Sequence, residues 1–197
     1  HFILAPHQLP QGGSSYLQRT YEEAVKLHKE GNLNDAIFYY QLTALNCQYH
    51  PEDSLTYWWK AMCGQGEVWR QKNFLDHART DFETVLQTAS KYRLDTAEYI
   101  ASRKLTLISL ERQHYDEAYS YAMRAWKMAA KKRYPKTMTN GQENERILAS
   151  FAHALSGGQA VSDTVFGQLE KLAASSSLEL RTTALKLLSL YEMQDSG

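Results

Sequence analysis

Gly31-Asn-Leu-Asn-Asp-Ala36-Ile-Phe-Tyr-Tyr40, Asn73-Phe-Leu-Asp-His-Ala78-Arg-Thr-Asp-Phe82 and Gln113-His-Tyr-Asp-Glu-Ala118-Tyr-Ser-Tyr-Ala122 follow one pattern. The three alanines stand 42 and then 40 residues apart. Twelve residues before each alanine the same register gives Ala24, Gly66 and Thr106, and Trp69 falls three residues after Gly66. Small side chains at such points let two antiparallel helices approach closely. The aromatic or apolar residue four positions past the alanine (Tyr40, Phe82, Ala122) fills the space beside them. Self-similarity at a fixed period of this length is the mark of a stacked-repeat protein.

The flanking sequence is helical throughout. Leu17, Tyr21, Ala24, Val25 and His28 share one face at three- and four-residue spacing, as do Ala36, Tyr39, Tyr40, Thr43 and Ala44, and no stretch alternates as a strand would. The spacing predicts helices over about 16–30, 33–48, 53–71, 74–91, 95–112, 115–133, 142–155, 162–174 and 177–193. Asp53 or Ser54, Asp95 and Ser177 are the expected N-caps, because a short side-chain oxygen can accept from an unpaired N–H of the first turn. Pro135, Asn140 and Gly141 mark the clearest break, and Ser156-Gly-Gly158 reads as a turn. Residues 1–15, with two prolines and two glycines and no helical period, read as a linker or an expression-derived segment rather than as part of the fold.

The pattern resembles the tetratricopeptide repeat, with its small residue in the first helix, its turn, and alanine then aromatic in the second. That family's usual period is 34 residues. The wider spacing here is similar to the long-helix variety found in kinesin light chains, polarity adaptors and bacterial peptide receptors. The resemblance covers about residues 16–133; the third repeat carries Thr106, Ser109 and Gln113 where small, aromatic and glycine residues are usual. It implies an all-α, right-handed superhelical solenoid of about four antiparallel helix pairs, with repeats at about 16–50, 53–92, 95–133 and 142–175 and a capping helix at 177–193. Ala36, Tyr40, Gly66, Trp69, Ala78, Phe82 and Ala118 are then structural repeat positions.

Several kinds of chemistry find no support in the residues. The 22 basic residues are balanced by 22 acidic ones, which removes the broad attraction a nucleic-acid binder shows, and no apolar run is long enough to span a bilayer. The seven histidines are scattered singly, and Cys47 and Cys63 are too few for a thiolate metal site, so no metal and no cofactor is expected. Two reduced cysteines in apolar helices suit an intracellular setting, cytoplasmic or nuclear. Gly64-Gln-Gly66 lacks the strand and third glycine of a dinucleotide fingerprint, and no nucleophile elbow is present, so no enzymatic activity is expected.

The resemblance also implies a site. The first helices of successive pairs line a peptide-binding groove in that family, which places Gln18, Tyr21, Val25 and His28, then Lys60, Cys63, Glu67 and Arg70, then Arg103, Leu107 and Leu110 on the groove. Of these, Tyr21, His28, Lys60, Arg70, Arg103 and Leu107 are the candidate partner-binding residues. Tyr21, Val25, Cys63 and Glu67 occupy positions where the carboxylate-clamp subfamily needs lysine and asparagine, so capture of a C-terminal carboxylate is not implied. A groove of aromatics and cations suits an acidic peptide with apolar anchors. The cations Arg124, Lys127, Lys131, Lys132 and Arg133 form a basic patch, read either as charge favoured at a helix C-terminus or as a docking patch for an acidic partner. The expected function is a protein- or peptide-binding adaptor or scaffold, the alternative being a peptide-sensing module that controls an attached effector or DNA-binding domain.

Overall fold

The computed structural model describes residues 13–49, 54–131, 141–174 and 178–195. Among these residues the chain forms nine α-helices and no strand: α1 (Gly13–Lys29), α2 (Leu33–Asn46), α3 (Ser54–Gln71), α4 (Leu75–Tyr92), α5 (Asp95–Glu111), α6 (Tyr115–Ala129), α7 (Gly141–Ser156), α8 (Asp163–Ala173) and α9 (Leu178–Asp195). A short 3-10 turn, Cys47–Tyr49, extends α2. The chain divides into two compact units, residues 1–81 and 82–197, with the boundary inside α4.

The turns explain why the three aligned segments look alike. Gly31, Asn73 and Gln113 all adopt the left-handed conformation, at φ 78°, 63° and 60°. Behind each, the same pair of bonds closes the preceding helix. The N–H of the turn residue donates to the carbonyl three back (His28, Arg70, Leu110), and the next N–H donates to the carbonyl five back (Leu27, Trp69, Ser109). This is the Schellman arrangement, which satisfies carbonyls a helix end would otherwise leave unpaired. In the second repeat the apolar contact that accompanies it is visible as Trp69 against Phe74, ring centroids 5.7 Å apart. Arg93 (φ 56°) and Gly158 (φ 65°) close α4 and α7 in the same way, with Leu94 N–H on the Ala89 carbonyl and Gln159 N–H on that of Ala154. Ser156-Gly-Gly158 is thus a helix-closing turn.

Each turn delivers its alanine to the same local place. Ala36, Ala78 and Ala118 donate their N–H to Asn32, Phe74 and His114, four residues earlier, and all three are fully buried. Ala24 and Thr106 are fully buried as well, Gly66 is buried, and Tyr40 and Phe82 are 2% and 0% exposed. Thr106 can stand at a small-residue position because its hydroxyl donates to the Ser102 carbonyl at 2.9 Å, leaving no unmet polar group. A close backbone approach also occurs at Gly64, where a Cβ would lie 2.4 Å from Cε1 and Cζ of Tyr40. The Tyr40 ring lies on bare backbone there.

In the first unit α2 packs on α1 and on α3, around Ala24, Ala36, Ile37, Tyr40, Ala61 and Val68. In the second, α5 packs on α6, α6 on α7 and α8 on α9. Its core joins Leu107 and Leu110 of α5 with Leu148 and Phe151 of α7. The last helix, α9, lays Leu180, Ala184 and Leu187 onto that core while Leu178 and Leu185 face outward. No helix among the described residues is long and apolar enough to cross a membrane.

The expected caps are corrected at one point. Leu94 occupies the N-cap of α5 without a side-chain cap bond, and Asp95 is the first helical residue. Its carboxylate takes the Lys131 ammonium at 3.3 Å instead. Ser54 opens α3, and a true side-chain cap appears at Ser162, whose Oγ accepts from Val165 N–H at 3.3 Å. Asp53 and Ser177 lie outside the described residues, as does the break around Pro135.

Candidate functional site

The first unit brings the expected groove residues of α1 and α3 side by side. Tyr21 meets Tyr57 edge-on at 6.1 Å between centroids, and further along both helices His28 Nε2 lies 3.1 Å from Gln71 Oε1. These two contacts run in the same order along both chains, so α1 and α3 are parallel neighbours, with α2 antiparallel between them in sequence. Nδ1 of the same ring lies 3.1 Å from the Tyr40 hydroxyl, so the imidazole bridges α2 and α3. Tyr21, Val25, His28, Lys60, Cys63, Glu67 and Arg70 are all part-exposed. Lys60 Nζ lies 6.0 Å from the Trp59 ring centroid, and Arg70 pairs with Glu67 of its own helix at 3.1 Å. Burial and the neighbouring Cys63 and Tyr57 push the Tyr21 hydroxyl above its ordinary titration range. The wall is mixed in character, aromatic bodies with polar tips and both signs of charge.

The α5 residues assigned to the groove are taken up inside the second unit. Leu107 and Leu110 are fully buried in the core of the second unit, beneath α7, and present no surface. Arg103 turns inward as well. Its Nε lies 3.4 Å from Oε1 of the fully buried Glu145, and Tyr99 donates its hydroxyl to the same oxygen at 3.3 Å. Burial pushes the Glu145 carboxyl up to about 7, against the opposing pull of Arg103 and Tyr99. That carboxylate in turn raises Arg103 further, although its own burial works against its charge. A guanidinium keeps its proton in either case, so the pair titrates through Glu145. A charge reversal at Arg103 would put two carboxylates in one buried site, and would report on stability rather than on partner capture.

Two cations of the basic patch, Arg124 and Lys131, are engaged within the second unit. Arg124 Nε donates to Glu98 at 2.9 Å and its Nη2 to Ser90 Oγ at 2.8 Å, while Lys131 pairs with Asp95. Lys127 is exposed. Lys132 and Arg133 lie outside the described residues.

Two clefts were not foreseen. In the first unit a cleft of about 310 Å³ is lined by Gln41 of α2, Gln65 and Trp69 of α3, and Asp76, His77 and Asp81 of α4. Trp69 is half-buried: it packs against the core of the first unit and also forms a cleft wall, with the His77 ring 4.8 Å from it. In the second unit a cleft of about 300 Å³ lies between α6 and α7, where the Tyr119 and His153 rings meet at a tilt of 40°, centroids 4.9 Å apart, beside Trp126 and Arg146. Aromatic residues at helical spacing were the available signal for both, but that signal is shared with core packing.

Comparison with protein-family models, curated proteins and solved structures finds no match for this chain. The family resemblance accordingly rests on the aligned residues.

Proposed function

We propose that the chain is a tetratricopeptide-like array, its helix pairs stacking into a right-handed superhelix, that acts without catalysis by holding a peptide segment of another protein. The observation that carries this is the wall made by α1 and α3, two parallel first helices joined at Tyr21–Tyr57 and at His28–Gln71. A pair of parallel helices with part-exposed side chains is a surface along which an extended or helical peptide can lie, burying apolar anchors against tyrosine while its charges meet Lys60, Glu67 and Arg70. Tyrosine suits this role because it offers large contact area with a polar tip at small entropic cost. The occupant that fits has apolar anchors and an acidic residue opposite Lys60.

Selection of displayed random peptides on the purified chain tests the reading. Enriched sequences should share apolar anchors and acidic positions, and Lys60→Glu and Tyr21→Ala should each weaken them at least tenfold with circular dichroism unchanged. Enrichment that is indifferent to both substitutions would remove α1 and α3 as the binding wall.

A further inference from the structure

The cleft between α2, α3 and α4 contains a carboxylate oxygen that no group among the described residues satisfies. Asp81 is 8% exposed, and its Oδ2 is buried with no hydrogen-bond partner. Buried carboxylate oxygens are ordinarily paired, because leaving one unmet costs the full desolvation of the group. Gln65, on the facing helix, spends its side-chain amide on Asp81, a bond that favours the ionised form. Beside the two stand the Trp69 indole and a second acid, Asp76. The indole already attracts a cation from outside the cleft, the Lys72 ammonium at 6.0 Å from the ring centroid. That ammonium is also held by Asn34 Oδ1, so it is committed elsewhere than to Asp81.

We propose that this cleft is a receptor for a single guanidinium group, the arginine side chain of a partner peptide, with the Asp81 carboxylate as its acceptor and Trp69 as its stacking wall. A volume of about 310 Å³ is at the small end for ligand pockets, room for one side chain rather than a cofactor. A planar fork of N–H donors fits a site with a carboxylate oxygen and the amide oxygens of Gln41 and Gln65, and its flat face matches an indole, whereas an ammonium offers neither plane nor fork. The site is separate from the α1–α3 wall. At 100° per residue, Gln65 and Trp69 lie on roughly the opposite side of α3 from Lys60, Cys63, Glu67 and Arg70. It therefore stands whether or not that wall binds a peptide.

The test uses the full chain and N-acetyl-arginine N-methylamide, followed by the indole proton–nitrogen resonance of Trp69, which Trp69→Phe assigns. The expected result is a saturable shift with half-saturation in the millimolar range, at least tenfold weaker in Asp81→Asn. The citrulline analogue, which replaces the guanidinium by a neutral isostere, should give no saturable shift, and the lysine analogue a weaker one. Binding should tighten between about pH 6 and about pH 8 as the carboxylate ionises. Gln65 of α3, Gln41 of α2, and Asp76, His77 and Thr80 of α4 also face this cleft, and the tightening is assigned to Asp81 alone. The pH dependence should accordingly vanish in Asp81→Asn. Absence of saturation, an equal response to citrulline or lysine, or full binding by Asp81→Asn would overturn the assignment. A far-ultraviolet circular dichroism spectrum and urea midpoint matching the parent chain's show that Asp81→Asn is folded, so that its lost binding reads on the carboxylate.

Discussion

Gly64→Ala adds one methyl group at a point where the structure has no room for it. The new Cβ would lie 2.4 Å from two carbons of the Tyr40 ring, far inside van der Waals contact, and Tyr40 is buried at 2% exposure. Overpacking of this kind costs about 1–3 kcal/mol. A displaced ring also gives up the hydroxyl bond to His28 Nδ1, about another 1 kcal/mol. Against this, alanine is the better helix former by about 1 kcal/mol. The net expectation is a loss of about 1–3 kcal/mol, read from the urea midpoint of the helical signal. Gly167→Ala is the internal control, since no atom lies within 4 Å of its added Cβ and only the propensity gain of about 0.5–1 kcal/mol remains. In a Tyr40→Ala background, Gly64→Ala should turn from a loss into a similar gain. A neutral or stabilising Gly64→Ala in the wild-type chain would refute the close packing of α2 on α3.

Other substitutions test other parts of the account. Gln113→Gly should raise stability by about 1 kcal/mol, because a side chain in the left-handed region is strained where glycine is not, while Gln113→Ala should give no such gain. Burial raises Asp81 and Glu145 to about 7 in the folded chain. Their protonated forms therefore favour folding below about pH 4, and that contribution is lost as pH rises through about 7, on the order of 2–4 kcal/mol for Asp81. Urea midpoints measured across this window should fall, and Asp81→Asn should flatten its share. Arg103→Leu should cost about 3 kcal/mol at pH 8, where it strands a charged Glu145, and clearly less at pH 5; combining it with Glu145→Leu should restore most of the loss.

The helices were legible because their apolar spacing is regular, and each lies within three residues of its expected start. The turns were partly legible. Gly31 announces a left-handed helix end, whereas Arg93 adopts the same conformation with a residue type that carries no such signal. The small-residue register named Gly66 for the α3–α4 hairpin, and Gly66 is buried; it gave no notice of Gly64, which lies beneath Tyr40 because α2 packs on α3. Leu107 and Arg103 were misplaced for a related reason. Register assigns a residue to a helix face, but what lies against that face is decided by α7, which brings Phe151 and Glu145 from some forty residues away. Asp81 carried no signal at all, since an aspartate in a charged helical stretch looks solvated until its neighbours close around it.

The claim on which the functional account depends is that α1 and α3 form the binding wall. Backbone and side-chain resonances of the labelled chain, titrated with a selected peptide, measure this directly. The account predicts saturable shifts concentrated on Tyr21, Val25, Lys60, Cys63 and Arg70, with Leu107 and the Arg103–Glu145 pair unmoved. Shifts confined to other helices, with those five residues silent, would contradict it.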